Sequence, residues 1–204
     1  DVAVIPQYCE DFYAVPQHDA ALEAQFAGRF NVVFTGTFTP AQSLDMVIRA
    51  VLDARAAGAE HLHLLLVGDG MSREALQKQA ADLHAGDAVT FYGSVPAADV
   101  PLKLINKRHI FAKENAERQI MKSIPCNDYD MASYMAAAKP VLASMNGAGY
   151  AAVLESGGGL VSPACDQKAL ADNMLALYRM TDAERAALGA KAKAYYTRHY
   201  RRAA

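Results

Sequence analysis

Glycines and small polar residues follow several apolar runs of this sequence, at positions where the chain must turn. They fall at residues 36–37, 68–70, 93–95 and 144–150. Glycine permits the positive φ angles of tight turns, and free backbone N–H groups at the start of a helix bind anions. These residue types therefore predict tight turns after the apolar runs, and these turns are the candidate ligand contacts.

The residues that could bind a metal or act as nucleophiles do not have the sequence spacing that such sites require. The cysteines Cys9, Cys126 and Cys165 are far apart, and three is an odd number for a disulfide framework. The six histidines include no i,i+4 pair typical of zinc sites, and we expect His61 and His63, which alternate in one predicted strand, to be structural. The sequence predicts no metal and no cofactor, and it identifies no catalytic residue.

Composition excludes several classes of protein. The chain has 204 residues, 52% of them hydrophobic and 21% charged, which is typical of a globular domain. A net charge of -2 argues against broad phosphate neutralisation, so we expect no nucleic-acid partner. No apolar run reaches the roughly 18 residues of a membrane span. A reducing cytoplasm is the simplest compartment, and the abrupt start at Asp1 predicts a fragment.

Strand and helix patterns alternate along the chain. This alternation predicts an α/β fold with a doubly wound parallel sheet, in which ligands bind beyond the carboxyl ends of the strands. Ser72, Asp166 and Thr181 are predicted helix caps, with Glu184 completing a capping box at Thr181. The predicted strands are 31–35, 61–67, 88–92, 110–112, 140–144 and 160–162. The predicted helices are 41–57, 72–84, 99–106, 129–138, 149–156, 166–180 and 181–200.

The segments that follow the carboxyl ends of the predicted strands, here called the strand exits, also carry motifs in a specific order. They are VFTGT at 33–37 followed by QSLDMVIRA at 42–50, LLVGDG at 65–70, VTFYGSV at 89–95 and YMAAAKPVLAS at 134–144. This succession resembles the C-terminal, nucleotide-sugar-binding domain of retaining GT-B glycosyltransferases of family 4. It is most similar to the branch that builds bacterial polysaccharide and O-antigen.

The resemblance implies a Rossmann-like domain that binds a nucleotide-sugar, with UDP as the expected nucleotide, for transfer to a carrier-linked glycan. It implies an interdomain linker and domain start at 1–30, a donor-binding domain at 31–204, and an acceptor-binding N-terminal domain that is missing from this chain. We therefore expect the fragment alone to be inactive. A cytoplasmic location, with peripheral contact at the inner face of the membrane, would suit glycan assembly. The alternative is a degenerate, non-catalytic GT-B half that serves in protein association.

The resemblance also implies a set of donor-binding residues. The family places an Arg and a Lys after the first strand, whereas this chain has Thr37 and Gln42, which bring no charge, and Ser43 replaces a usual glycine. The alternative for Gln42 and Ser43 is that they simply open a surface helix. The expected donor-binding residues are Gly36, Thr37, Gln42, Gly68, Gly93, Ser94, Val95, Asn127, Asp130, Gly147 and Gly149.

The segment 112–133 contains about three residues more than the family pattern, and two alignments compete. Counting forward from Pro125 puts Asn127 at the family's Lys position and Asp130 at the carboxylate that holds the ribose. Counting back from 134–135 puts Asp130 at the Lys position and Ser133 at the carboxylate. We favour Asp130 for the ribose, because a carboxylate in the first helical turn suits both the helix dipole and the hydroxyls.

Other residues near these motifs have plainer interpretations. Asp128 is the second choice for the ribose, and either aspartate could be only a helix cap. Arg118 and Lys122 could replace the missing cations, although solvated surface charges are more common. We expect the Asp69 side chain to be solvated in a generic turn, and residues 157–159 to form a flexible turn.

Overall fold

The computed structural model describes residues 24–95, 109–113 and 128–201, and it consists of alternating strands and helices. A short 3₁₀ helix, Pro40–Gln42, precedes the first α-helix. The predicted helix at 99–106 lies outside the described residues. The strands are β1 (Phe30–Thr35), β2 (Leu62–Val67), β3 (Val89–Gly93), β4 (His109–Lys113), β5 (Val141–Ser144) and β6 (Gly159–Ser162). The helices are α1 (Leu44–Ala56), α2 (Arg73–Asp82), α3 (Asp128–Ala136), α4 (Ala148–Ser156), α5 (Gln167–Arg179) and α6 (Asp182–His199).

The six strands form one parallel sheet in the order β3-β2-β1-β4-β5-β6. This arrangement confirms the predicted doubly wound α/β fold. Because every neighbouring pair is parallel, the carboxyl ends of all six strands lie at one edge of the sheet. The order reverses between β1 and β4, which makes this pair of strands the topological switch point.

Two hydrophobic clusters cover the two faces of the sheet. Val32 and Phe34 of β1 belong to the cluster under α1, α2 and α5, whereas Val33 belongs to the cluster under α3, α4 and α6. Alternate residues of β2 divide in the same way, with Leu64 on one face and Leu65 on the other. Burial on both faces explains why these strands are continuously apolar.

The two central strands separate toward their carboxyl ends. Among the described residues, β1 pairs with β4 at Val32 and Val33 only, opposite His109 and Ile110. By contrast, β1 pairs with β2 along its whole length to Thr35. A crevice therefore opens between β1 and β4 at the edge where ligands are expected.

Two of the three predicted helix caps are confirmed. The Asp166 carboxylate accepts a hydrogen bond from the Ala169 N–H at 2.9 Å, and Thr181 forms the expected capping box with Glu184. Ser72 occupies the predicted N-cap position of α2, but its side chain makes no capping hydrogen bond. Its φ of -89° and ψ of -3° are helical rather than extended, which is unsuited to that bond.

Gly158 and Gly159 reflect close packing rather than a flexible turn, whereas Gly157 ends α4 in a left-handed conformation. A Cβ on Gly158 would lie 2.5 Å from the Ala192 backbone nitrogen, and one on Gly159 would lie 1.9 Å from the Val141 carbonyl oxygen. Real Cβ atoms do not approach backbone so closely, so the absence of a side chain lets β6 pack against β5 and α6. The interpretation as a flexible turn is therefore corrected.

The two histidines near β2 differ from each other. His61 is exposed and precedes β2, so the prediction that it shares a strand face with His63 is wrong. His63 is buried, its Nδ1 lies 2.9 Å from Asn31 Oδ1, and its Nε2 lies 2.9 Å from Thr90 Oγ1. These bonds link three neighbouring strands, which confirms a structural role for His63.

Candidate functional site

The loop after β1 is hydrogen-bonded to the loop after β2. The Gly36 N–H donates to the Val67 carbonyl at 3.0 Å, and the Phe38 N–H donates to the Asp69 carbonyl at 2.8 Å. The Ser72 N–H in turn donates to the Phe38 carbonyl at 3.0 Å. Phe38 is fully buried, so these bonds anchor the middle of the β1 loop.

The loops after β2 and β3 also meet. The Gly68 N–H donates to the Gly93 carbonyl at 2.8 Å. Gly68 has a φ of +140°, and a Cβ there would lie 1.9 Å from the Gly36 carbonyl oxygen, so only glycine fits. Ser94 is exposed and Val95 is half-buried. The three exits therefore form one connected backbone surface, as the sequence predicted.

The neutral residues of the β1 loop occupy distinct environments. Thr37 is exposed, and Gln42 is half-buried at the end of the 3₁₀ helix. Ser43, which precedes α1, has a φ of 41° and a ψ of 44°, a left-handed conformation that favours glycine. The usual glycine at this position is thus explained by backbone conformation, which this chain retains with a serine.

A cation that the sequence analysis missed lies between the β2 and β3 exits. Asp69 is exposed as expected, but its carboxylate accepts from the Gly70 N–H at 2.8 Å and from Arg73 NH1 at 3.0 Å. Arg73 NH1 also lies 3.9 Å from the position that a Cβ on Gly93 would take. The i,i+4 spacing of Asp69 and Arg73 is the signal that could have identified this pair.

A tyrosine joins α3 to the end of β1 across the crevice. Tyr134 is 1% exposed, and its hydroxyl donates to the Thr35 carbonyl at 3.1 Å. The same hydroxyl lies 3.2 Å from Thr35 Oγ1. Thr35 is the last residue of β1, beyond the part that pairs with β4. No local sequence pattern indicates this contact, because its partners are 99 residues apart.

The candidate carboxylate lies in the first turn of α3. Asp130 is the third residue of this helix and is four residues before Tyr134, so the two occupy one helix face. Asp130 is therefore one turn closer than Tyr134 to the start of the helix. Ser133, the other candidate position, is 4% exposed. Asn127, Arg118 and Lys122 lie outside the described residues.

The exits of β5 and β6 complete the same edge. The Met145 N–H donates to the Ser162 carbonyl at 3.1 Å, and Ser144 Oγ donates to the Pro163 carbonyl at 3.2 Å. Gly147 caps α4, and Gly149 is buried in its first turn. The predicted glycines therefore lie at the start of a helix, on the β5 side of the crevice.

This edge combines backbone groups, one guanidinium and a helix start that carries a candidate carboxylate. Such a set suits a ligand with both an anionic group and hydroxyls. Within the residues that the structure describes, no three His, Cys, Asp or Glu side chains are grouped as metal ligands. None of the helices in those ranges combines the length and the apolar character that a bilayer crossing requires.

A separate cavity lies at the opposite edge of the sheet. Its volume is about 480 Å³, and it is lined by residues 138–140, which precede β5, and by one side of α6. The candidate residues follow strands rather than precede them, so this cavity does not belong to the site.

A sequence comparison identifies a family, and a structure comparison identifies similar folds. The family described as "Glycosyl transferases group 1" matches residues 29–180. No curated protein sequence matches the chain. The structure is similar to that of WaaG, a glycosyltransferase involved in lipopolysaccharide biosynthesis, with a TM-score of 0.76 and 15% sequence identity. The similarity covers 96% of this chain and 52% of WaaG.

Two further solved structures have the same fold. Anabaena HepE, in complex with UDP and glucose, has a TM-score of 0.72 and 20% identity, over 95% of this chain and 50% of HepE. Sucrose-phosphate synthase from Thermosynechococcus elongatus has a TM-score of 0.77 and 20% identity, over 96% of this chain and 48% of the synthase. This chain therefore spans about half the length of these structures.

Proposed function

The chain belongs to the glycosyl transferases group 1 family, and from this premise we propose that it is the donor-binding domain of a retaining glycosyltransferase. Its ligand is a nucleotide-sugar with UDP as the nucleotide, and its acceptor is a carrier-linked glycan of the polysaccharide or O-antigen type. HepE, whose fold is similar, has been solved in complexes with UDP and with UDP-glucose, which supports this choice of ligand.

The observation that carries this proposal is the crevice at the switch point. The exits of β1, β2 and β3 are hydrogen-bonded into one surface, and the starts of α3 and α4 lie on the other side of the crevice. In open parallel sheets, ligands bind at this position, because backbone N–H groups and helix N-termini are directed toward it.

Each part of the donor has a matching group at this edge. The diphosphate lies against the β1 loop, where Gly36, Thr37 and Gln42 precede the start of α1. Asp130 accepts hydrogen bonds from the ribose hydroxyls, and 93–95 contacts the base. The amides at 147–149 contact the sugar and its phosphates. Stabilising the charge that develops on the departing diphosphate is the main catalytic requirement of this chemistry.

The remaining assignments concern the parent enzyme. Residues 1–30 form the interdomain linker and the start of the domain, and an acceptor-binding N-terminal domain completes the enzyme. We expect no turnover from the donor domain alone, because acceptor binding belongs to the other half of such an enzyme. The enzyme works in the cytoplasm, at the inner face of the membrane.

Titration with UDP tests this function. We expect backbone amide signals of residues near Gly36, Gly93 and Ser144 to shift in nuclear magnetic resonance spectra as UDP is added. Uridine, which lacks the diphosphate, should bind more weakly. The absence of any shift at millimolar UDP would contradict donor binding.

The neutral β1 loop favours a second function. Thr37 and Gln42 bring no positive charge to the diphosphate, which is consistent with a degenerate half that serves only in protein association. A chain that remains folded but shows no affinity for UDP, CDP, GDP or ADP would support this second function.

Arg73 gives a more specific prediction. We expect Arg73→Gln to weaken UDP binding about threefold to tenfold, because it removes a positive charge from the edge that holds the diphosphate and base. Calorimetric titration measures the change. Arg55→Gln is the matched control, since Arg55 also pairs with an aspartate, Asp87, but lies in the last turn of α1, at the opposite end of that helix from the proposed site. Equal affinities of the two variants would contradict a role for Arg73.

A further inference from the structure

A side chain of α3, Tyr134, is hydrogen-bonded to the end of β1 beside the crevice between β1 and β4. After Val33, β1 no longer pairs with β4 among the described residues, and the Thr35 carbonyl accepts the Tyr134 hydroxyl at 3.1 Å. Tyr134 thereby links α3 to the part of β1 that does not pair with β4 among the described residues. Tyr134 is 1% exposed and Thr35 is half-buried, so this bond is partly shielded from water, which strengthens a hydrogen bond relative to one at the surface.

We propose that Tyr134 is a positioning residue for donor binding, which fixes the first turn of α3 relative to the end of β1 and so holds Asp130 at the ribose. This inference rests on the proposed function. Asp130 lies one turn before Tyr134 on the same face of α3. A shift of Tyr134 relative to Thr35 therefore moves Asp130 by a similar amount.

The packing of α3 explains why a hydrogen bond is needed there. The apolar buried neighbours of Tyr134 in this helix are Met131, Ala132, Met135 and Ala136, and Ser133 is its buried polar neighbour. Small and flexible apolar side chains stabilise a helix against its neighbours but do not fix its register, because apolar contact is non-directional. The bond from Tyr134 to Thr35 is directional, and it supplies the register that the apolar contacts lack.

Tyr134 acts through Asp130 rather than on the ligand. Its hydroxyl is occupied by Thr35, whose two oxygens lie at 3.1 and 3.2 Å. A positioning residue of this kind affects the part of the ligand that Asp130 contacts, which is the ribose. Loss of the tyrosine hydroxyl should therefore weaken recognition of the 2′- and 3′-hydroxyls more than recognition of the diphosphate.

The test is Tyr134→Phe in the full chain, titrated calorimetrically with UDP and with 2′-deoxy-UDP. We expect UDP to bind about threefold to tenfold more weakly to this variant, and 2′-deoxy-UDP to lose less affinity. Tyr195→Phe is the matched control, because it removes a tyrosine hydroxyl that donates to Glu155 at 2.9 Å, far from the crevice. The control should bind both ligands as the unmodified chain does.

Thermal unfolding of each variant separates positioning from general destabilisation. If Tyr134→Phe does not fold, Thr35→Val is used instead, because this change removes one of the two oxygens that contact Tyr134. We expect Thr35→Val to weaken UDP binding about twofold to threefold. Unchanged UDP affinity in folded Tyr134→Phe, or equal losses for UDP and 2′-deoxy-UDP, would overturn the inference. Failure of the unmodified chain to bind UDP would instead overturn the proposed function.

Discussion

Replacement of Gly68 by alanine will lower the free energy of unfolding by about 3 kcal/mol or more. The added Cβ would lie 1.9 Å from the Gly36 carbonyl oxygen and 3.3 Å from Phe38 Cε1, and the φ of +140° is unfavourable for any L-residue with a side chain. The atom in the way belongs to the backbone, so it cannot move without displacing the β1 loop. Urea denaturation measures the change.

A second glycine provides the control for this experiment. Gly86 lies in a surface turn, and a Cβ there would meet nothing within 4 Å. Gly86→Ala should therefore change the free energy of unfolding by only about 0.5 kcal/mol. Equal stability of the two alanine variants would contradict the close approach of Gly68 to the Gly36 carbonyl oxygen.

The hydrophobic pattern of the sequence was sufficient to predict the strands of the sheet. Every strand was predicted to within two residues of its observed ends, including the short run at 110–112, which proves to be central. The apolar character of a strand buried on both faces is visible without knowledge of its neighbours. The start of α1 was less well predicted, because Pro40 begins a 3₁₀ helix and the left-handed Ser43 separates it from Leu44.

Contacts between distant residues explain what the sequence did not reveal about the site. The bond between Tyr134 and Thr35 joins α3 to β1, and no local pattern indicates it. Gly158 and Gly159 were similarly misinterpreted, because Val141 and Ala192, which exclude a side chain there, are distant in sequence. Arg73 differs, since its i,i+4 relation to Asp69 was visible, and only its proximity to Gly93 required the structure.

The positions of charge at the two sides of the crevice have a functional consequence. Within the described loops after β1, β2 and β3, Arg73 supplies the positive charge, and the Asp69 carboxylate partly neutralises it. On this side of the crevice, backbone amides therefore carry most of the proposed interaction with the diphosphate. Affinity for the nucleotide should then depend strongly on the ribose contact, where a carboxylate forms charge-assisted hydrogen bonds.

This dependence makes Asp130→Asn the variant with the largest expected effect on ligand binding. We expect UDP affinity to fall about tenfold to hundredfold, since the amide replaces a charged acceptor of two ribose hydroxyl bonds by a neutral one. Calorimetric titration with UDP measures the loss. Asp82→Asn makes the same chemical change at the last, exposed residue of α2, at the other end of that helix from the site, and should leave affinity unchanged.

The same titration decides between the two alignments of the 112–133 segment. If Asp130 holds the ribose, Ser133→Ala should bind UDP as the unmodified chain does, because Ser133 is buried at 4% exposure. If Ser133 instead occupies the ribose position, Ser133→Ala should weaken binding and Asp130→Asn should strengthen it, since removal of a negative charge near the phosphates favours an anionic ligand. Asp130→Asn is therefore expected to weaken UDP binding if Asp130 contacts the ribose and to strengthen UDP binding if Ser133 does, and this difference identifies the residue.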